Sequence, residues 1–145
     1  MPILHQDGKP VTIAFDFDGV LHHHDGTNEP EPNGRPVEGA VEMVRDLAER
    51  GYRLVVHTCR AAKGLPHIIG VMDWMERHGF PRLPVVSMKP VAALYVDDRG
   101  FRFSGPDSWA ALRTFLDRER IPSRWERGPE EPGSEVPPFL PSWVG

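Results

Sequence analysis

The chain has 145 residues, 26% of them charged and 39% hydrophobic, with a formal net charge of −4. That length supports one domain with a real core, and the acidic balance gives no electrostatic footprint for general nucleic-acid binding. A single cysteine, Cys59, excludes an internal disulfide; Met1–Asp7 has no basic stretch leading into an apolar run, and no segment approaches the length of a membrane span, so a cytoplasmic location is the expectation.

The first element is a buried strand, Val11–Asp16, built on Val11-Thr12-Ile13-Ala14-Phe15. A polar, Pro- and Gly-rich loop follows, Phe17–Pro36, holding His22-His23-His24. Val37–Arg50 reads as a helix, with Ala40, Val44, Leu47 and Ala48 at helical spacing and Gly51 suited to its end. Arg53–His57 is a second buried strand. Leu65–His78 is a second helix, with Ile68, Met72 and Met75 on one face. Leu83–Met88 and Val91–Asp97 hold the third and fourth strands, and Phe101–Phe103 reads as a short edge strand. Asp107 or Ser108 caps a last helix running to about Glu119, with Trp109, Leu112 and Leu116 inward. From Ser123 the chain turns proline-rich and loses periodicity, so residues 1–122 are expected to form the domain and 123–145 an extended or disordered tail.

Apolar strands alternating with amphipathic helices predict an α/β, Rossmann-like, mostly parallel sheet with helices on both faces. Right-handed crossovers bring the C-terminal ends of all strands to one edge, where such sheets bind ligands. Those ends carry Asp16-Phe17-Asp18-Gly19, then Thr58-Cys59-Arg60, then Lys89, then Asp97-Asp98. Carboxylates at the end of an apolar strand lose hydration and need a metal, a cation or donors to compensate them. Asp16 and Asp18 alone could be a strand followed by a turn. With the other strand ends they make a set suited to phosphoryl transfer. Lys89 and the Thr58 hydroxyl answer the spread negative charge of a transferring phosphoryl group. Asp16, Asp98 and the Asp18 backbone carbonyl form a hard oxygen site suited to Mg2+. Asp16 can attack phosphorus and Asp18 can move the proton of the leaving oxygen and of the attacking water.

The ordered set Asp16-Phe17-Asp18-Gly19-Val20, Thr58, Lys89 and Asp97-Asp98 resembles the haloacid dehalogenase (HAD) superfamily, over about Val11 to Trp109. The resemblance implies a HAD-type sheet, an aspartate nucleophile at Asp16, the phosphatase branch because Asp18 is present, and Mg2+ held by Asp98 with Asp97 in a supporting position. Only 39 residues separate Asp18 from Thr58 and 30 separate Thr58 from Lys89, and predicted helices and strands fill both gaps, so no cap domain is expected. Members without a cap tend to act on phosphates of macromolecules or to borrow a lid from a partner subunit. The expected substrate is therefore a phosphorylated metabolite or a polynucleotide end, with homo-oligomerisation open and no membrane partner. Thr58-Cys59-Arg60 is similar to the Ser/Thr-x-Arg of polynucleotide 3′-phosphatases, which implies that Thr58, Arg60 and Lys89 bind substrate. A phosphotransferase and a catalytically silent binding module on the same scaffold are the alternatives. Three consecutive histidines cannot all point one way, so His22–His24 are read as a solvated loop, not as metal ligands. Cys59 is expected to pack beneath the site.

Overall fold

The computed structural model describes Leu4 and residues 7–118; the expected tail, 123–145, lies outside the described residues. The chain divides into two compact units, Met1–Gly100 and Phe101–Gly145.

The first unit is α/β with a four-stranded, all-parallel, Rossmann-like sheet. Its elements are β1 (Thr12–Phe15), α1 (Ala40–Glu49), β2 (Arg53–His57), a 3-10 turn (Cys59–Lys63), α2 (Leu65–Arg77), β3 (Val85–Val86) and β4 (Leu94–Val96). The order across the sheet is β3-β2-β1-β4. β1 is central, with Phe15 level with Val56 on one side and with Val96 on the other. Ile13, Phe15, Leu54, Val56 and Val85 form one face of the sheet and share a core cluster with Val44 of α1 and with Val71, Trp74 and Met75 of α2. Ala14 and Val55, on the opposite face, are also buried. Neither gap between the strand-end motifs contains an inserted domain: one is filled by the 17–39 loop, α1 and β2, the other by the 3-10 turn, α2 and β3.

Several elements are shorter than the sequence predicts. β3 keeps only two of the expected six residues, and β4 takes three of the 91–97 stretch expected to hold it. A strand lasts only while a neighbour pairs with it, and β3 and β4 lie at the two edges. α1 starts at Ala40 because Gly39, at its N-cap, is left-handed. The buried face of α2 is also rotated from the expected one. Trp74 is fully buried and Met72 exposed, because the bulkiest apolar side chain takes the core position.

In the second unit α3 spans Ser108–Arg118. Phe101–Phe103 forms no strand; Phe101 packs on Phe115 and Phe103 on Trp109, so ring contacts with the helix replace strand pairing. Trp109 and Leu116 are exposed rather than inward.

The 17–36 segment is not a free-standing flap. The Phe17 carbonyl accepts the N–H groups of Val20, Leu21 and His22, turning the chain back immediately after Asp18. α2 then fastens the rest. Trp74 Nε1 donates to the Gly34 carbonyl at 2.9 Å, His67 Nε2 pairs with the Asn28 carbonyl at 3.0 Å, and Arg77 pairs with Glu31. Gly70 lets the helix touch the loop backbone: a Cβ there would lie 1.9 Å from the Pro30 carbonyl oxygen.

Candidate active site

Asp16 follows the last residue of β1, and its amide donates to the Val96 carbonyl at 2.9 Å. That bond ties the end of β1 to the end of β4, where Asp97 and Asp98 follow. Ligand oxygens of Asp16, Asp97 and Asp98 lie within 4.8 Å of one another. One Asp16 oxygen accepts the Phe17 N–H at 2.8 Å. Asp97 accepts the Arg99 N–H at 2.7 Å, which fixes the turn carrying both aspartates. Gly19 admits Asp98: its φ is +85°, and a Cβ on it would sit 2.3 Å from Asp98 Oδ2. The Asp-Gly of the first motif is thus read twice, once as a turn and once as clearance for the fourth motif's carboxylate.

Three carboxylates at this separation repel. Burial pushes Asp16 up to about 7; the Phe17 N–H pulls the other way, and the charges of Asp97, Asp98 and Asp18 add to the rise. The sequence assigns Asp97 only a supporting position, but the structure puts its carboxylate in the same trio as Asp16 and Asp98. The donors are all hard oxygens, crowded and short of positive charge. They fit a divalent cation of the Mg2+ type, with Asp16, Asp97 and Asp98 as the carboxylates that would hold it.

Asp18 is held in a different environment. Its Oδ2 accepts from Arg60 Nε at 2.7 Å, and its Oδ1 accepts from Arg60 Nη2 at 3.1 Å and from His22 Nδ1 at 2.8 Å. Burial would raise its pKa, but the His22 hydrogen bond and the Arg60 fork outweigh it and hold the carboxyl at about 2. Arg60 in turn reaches Asp25 Oδ1 and the Glu29 carbonyl, both at 3.4 Å, and lies 5.8 Å over the Phe17 ring. Asp25 is itself lowered: burial opposes this, but the Asn33 and Thr27 amides, the Thr27 hydroxyl and Arg60 prevail.

This arrangement corrects two expectations. Arg60 does not extend into an open cleft to hold substrate: its side chain is 4% exposed and pairs with Asp18 and Asp25. A guanidinium that finds two buried carboxylates at hydrogen-bond distance stays with them, because leaving would strand both charges. His22 is not solvated either. It is fully buried between Phe17 and Trp74. Only His23 and His24 keep water contact, His23 paired with Glu38 at 2.9 Å. A His at four residues after the second aspartate, followed by Gly34 and an indole, was the available sequence signal for this pocket; a consecutive histidine run hides it.

Two further strand-end residues follow β2 and β3. Thr58 ends β2 beside β1 and is buried. Its Oγ accepts the Arg60 N–H at 3.2 Å, capping the 3-10 turn and leaving the hydroxyl hydrogen free to donate. Lys89 follows β3, with its ammonium 4.5 Å over the Tyr95 ring, and makes no ion pair among the described residues. Cys59 is exposed rather than packed beneath the site. Its sulfur is nevertheless partly enclosed, and that loss of hydration, then the Asp18 and Asp16 charges, raise the thiol, so it is a poor nucleophile.

No family model matches the chain, and no curated protein matches it. Among solved structures, it is similar to the conserved protein coded by a locus of Bacteroides thetaiotaomicron, with 22% identity over 77% of this chain and 93% of that one and a TM-score of 0.52. That likeness supports the α/β Rossmann-like fold, and the helices of the described residues include none long and apolar enough to cross a membrane.

Proposed function

We propose that the protein is a magnesium-dependent phosphomonoester hydrolase that works through an aspartyl-phosphate on an open site. The observation that carries this reading is the meeting of Asp16, Asp97 and Asp98 at the ends of two adjacent parallel strands. The resemblance of the four strand-end motifs to the HAD superfamily supports it. A bound Mg2+ would offset the carboxylate repulsion, keep Asp16 ionised at neutral pH and draw the phosphate towards it.

In the first step an Asp16 oxygen attacks phosphorus and the P–O bond to the leaving group breaks. Asp18 gives its proton to the departing oxygen. A water then attacks the acyl phosphate, Asp18 takes that water's proton, and inorganic phosphate leaves Asp16 as a carboxylate. Asp18 rests ionised, so it must take up a proton as substrate binds. The negative charge of an arriving phosphate raises its proton affinity. The Thr58 hydroxyl and Lys89 are the donors left to answer the phosphoryl oxygens. With Arg60 buried the polynucleotide-end reading loses its main support, so the substrate panel spans phosphorylated metabolites as well as macromolecular phosphates.

The test is phosphate release by the purified chain from a panel of phosphomonoesters with Mg2+ and with chelator. Turnover should require the cation and fall by on the order of 10⁴ or more in Asp16→Asn, which keeps shape and loses the attacking charge. Turnover that survives in Asp16→Asn, or that ignores the chelator, would overturn the assignment; absence of turnover on every ester would favour a silent binding module.

A further inference from the structure

His22 is buried beside the reacting groups, and the motifs assign it nothing. Its ring lies flat against Phe17, with centroids 4.9 Å apart and planes 8° apart, and meets Trp74 edge-on at 5.0 Å. Both ring nitrogens have partners. The Gly34 N–H points at Nε2 from 2.9 Å. An amide can only donate, so Nε2 carries the lone pair and the proton sits on Nδ1, 2.8 Å from Asp18 Oδ1. Gly34 is built for this contact: a Cβ there would be 2.6 Å from His22 Nε2 and 2.0 Å from the His23 carbonyl oxygen. The Gly34 carbonyl accepts from Trp74 Nε1. A continuous chain therefore runs from Trp74 on α2 through Gly34 and His22 to Asp18.

We infer that His22 is a positioning residue that sets the orientation of the Asp18 carboxyl for proton transfer, its tautomer fixed by the Gly34 amide. This rests on the phosphatase reading. Arg60 grips both Asp18 oxygens, but from one side. The His22 N–H supplies a second direction of restraint on Oδ1, and it does so from a ring that packing on two aromatics holds still.

The experiment compares a phosphate ester with an alkyl leaving group (methyl phosphate) and one with an acidic aryl leaving group (p-nitrophenyl phosphate), using the full chain with Mg2+. His22→Phe keeps the stacked ring and removes both hydrogen bonds. His22→Asn keeps a donor where Nδ1 stood. In His22→Phe, kcat for the alkyl ester should fall roughly tenfold further than kcat for the aryl ester, because only the alkyl group needs protonation to leave, with KM values nearly unchanged. His22→Asn should recover most of that extra loss. Equal losses on the two esters, or no recovery in His22→Asn, would reduce His22 to a packing residue and overturn the inference. Nitrogen-15 NMR of the wild-type ring supplies a readout apart from turnover: a proton on Nδ1 and none on Nε2 is expected, and the opposite tautomer overturns the inference even if the phosphatase reading holds. A wild type that hydrolyses neither ester, nor any other member of the phosphomonoester panel, overturns the phosphatase reading itself and the positioning role of His22 with it.

Discussion

At the scale of single residues, two aspartates two positions apart are driven in opposite directions. Asp16 loses hydration by burial beside Asp97 and Asp98 and is pushed up to about 7; Asp18 faces His22 and Arg60 and is held at about 2. The sequence shows both carboxylates and their spacing, and the strand-end rule places Asp16, Thr58, Lys89 and Asp97-Asp98 on one edge. It does not show which way Arg60 turns. A guanidinium reads alike whether it grips substrate or a buried carboxylate, and the choice depends on Asp25, seven residues beyond Asp18, folding back to meet it. The structure makes Arg60 a stability residue. Arg60→Met leaves Asp18 and Asp25 without their cation in a partly buried pocket, and should cost about 1–3 kcal/mol, read as a fall in the midpoint of chemical unfolding. Arg60→Lys, a single ammonium unable to form the fork, should recover only part. An Arg60→Met chain as stable as wild type, with a raised KM instead, would return the arginine to the substrate.

At the scale of elements, the 17–36 loop and α2 behave as one piece. Trp74, His67, Gly70 and Arg77 all contact the loop, and three of them do so at backbone atoms. The sequence marks α2 by its period, yet backbone acceptors leave no trace in side-chain patterns. That is why the segment reads only as a polar loop and His22 as solvated. Gly70 offers the sharpest check. In an exposed helix Gly→Ala gains about 1 kcal/mol. Here the added methyl meets the Pro30 carbonyl oxygen, and overpacking against backbone costs about 1–3 kcal/mol or more. Gly70→Ala should therefore destabilise the protein, and amide hydrogen exchange should quicken first at residues 25–34. A neutral or stabilising outcome would mean that the loop does not bear on the helix.

At the scale of the whole molecule, the acidic trio links stability to pH and to the cation. A carboxyl whose folded pKa lies near 7 instead of 3.8 binds its proton more tightly in the folded state. Below about pH 4 both states hold the proton; as pH rises from there through 7, the unfolded chain releases it first and folding loses stability. Asp18 works in the opposite direction: its contribution is present above about pH 4 and fades as pH falls towards 2. Without metal, then, the unfolding temperature should decline between pH 5 and pH 8. Mg2+ should raise it more at pH 8 than at pH 5, since binding needs Asp16 deprotonated. Asp16→Asn should flatten the decline and remove the Mg2+ response. An equal Mg2+ shift in wild type and variant, measured by calorimetry, would place the cation elsewhere. The alternation of strands and helices made the parallel sheet legible from sequence. The split at Gly100 was not, because Phe101–Phe103 has the alternation of a strand and the ring contacts that claim it come from α3.

The hydrogen bond from the Asp16 amide to the Val96 carbonyl also has a bearing on how the chain is made. β1 is synthesised first and β4 last among the strands, yet they are neighbours in the sheet. The two halves of the acidic trio are thus separated by about eighty positions of chain and meet by a non-local pairing, the slow kind of folding event. A nascent chain that has not yet released Asp98 from the ribosome has no acidic trio. Once β4 docks, a metal bound only to the finished sheet would add about 2.7 kcal/mol at a hundredfold excess over its Kd, so the last strand to arrive is the one the cofactor would lock in place.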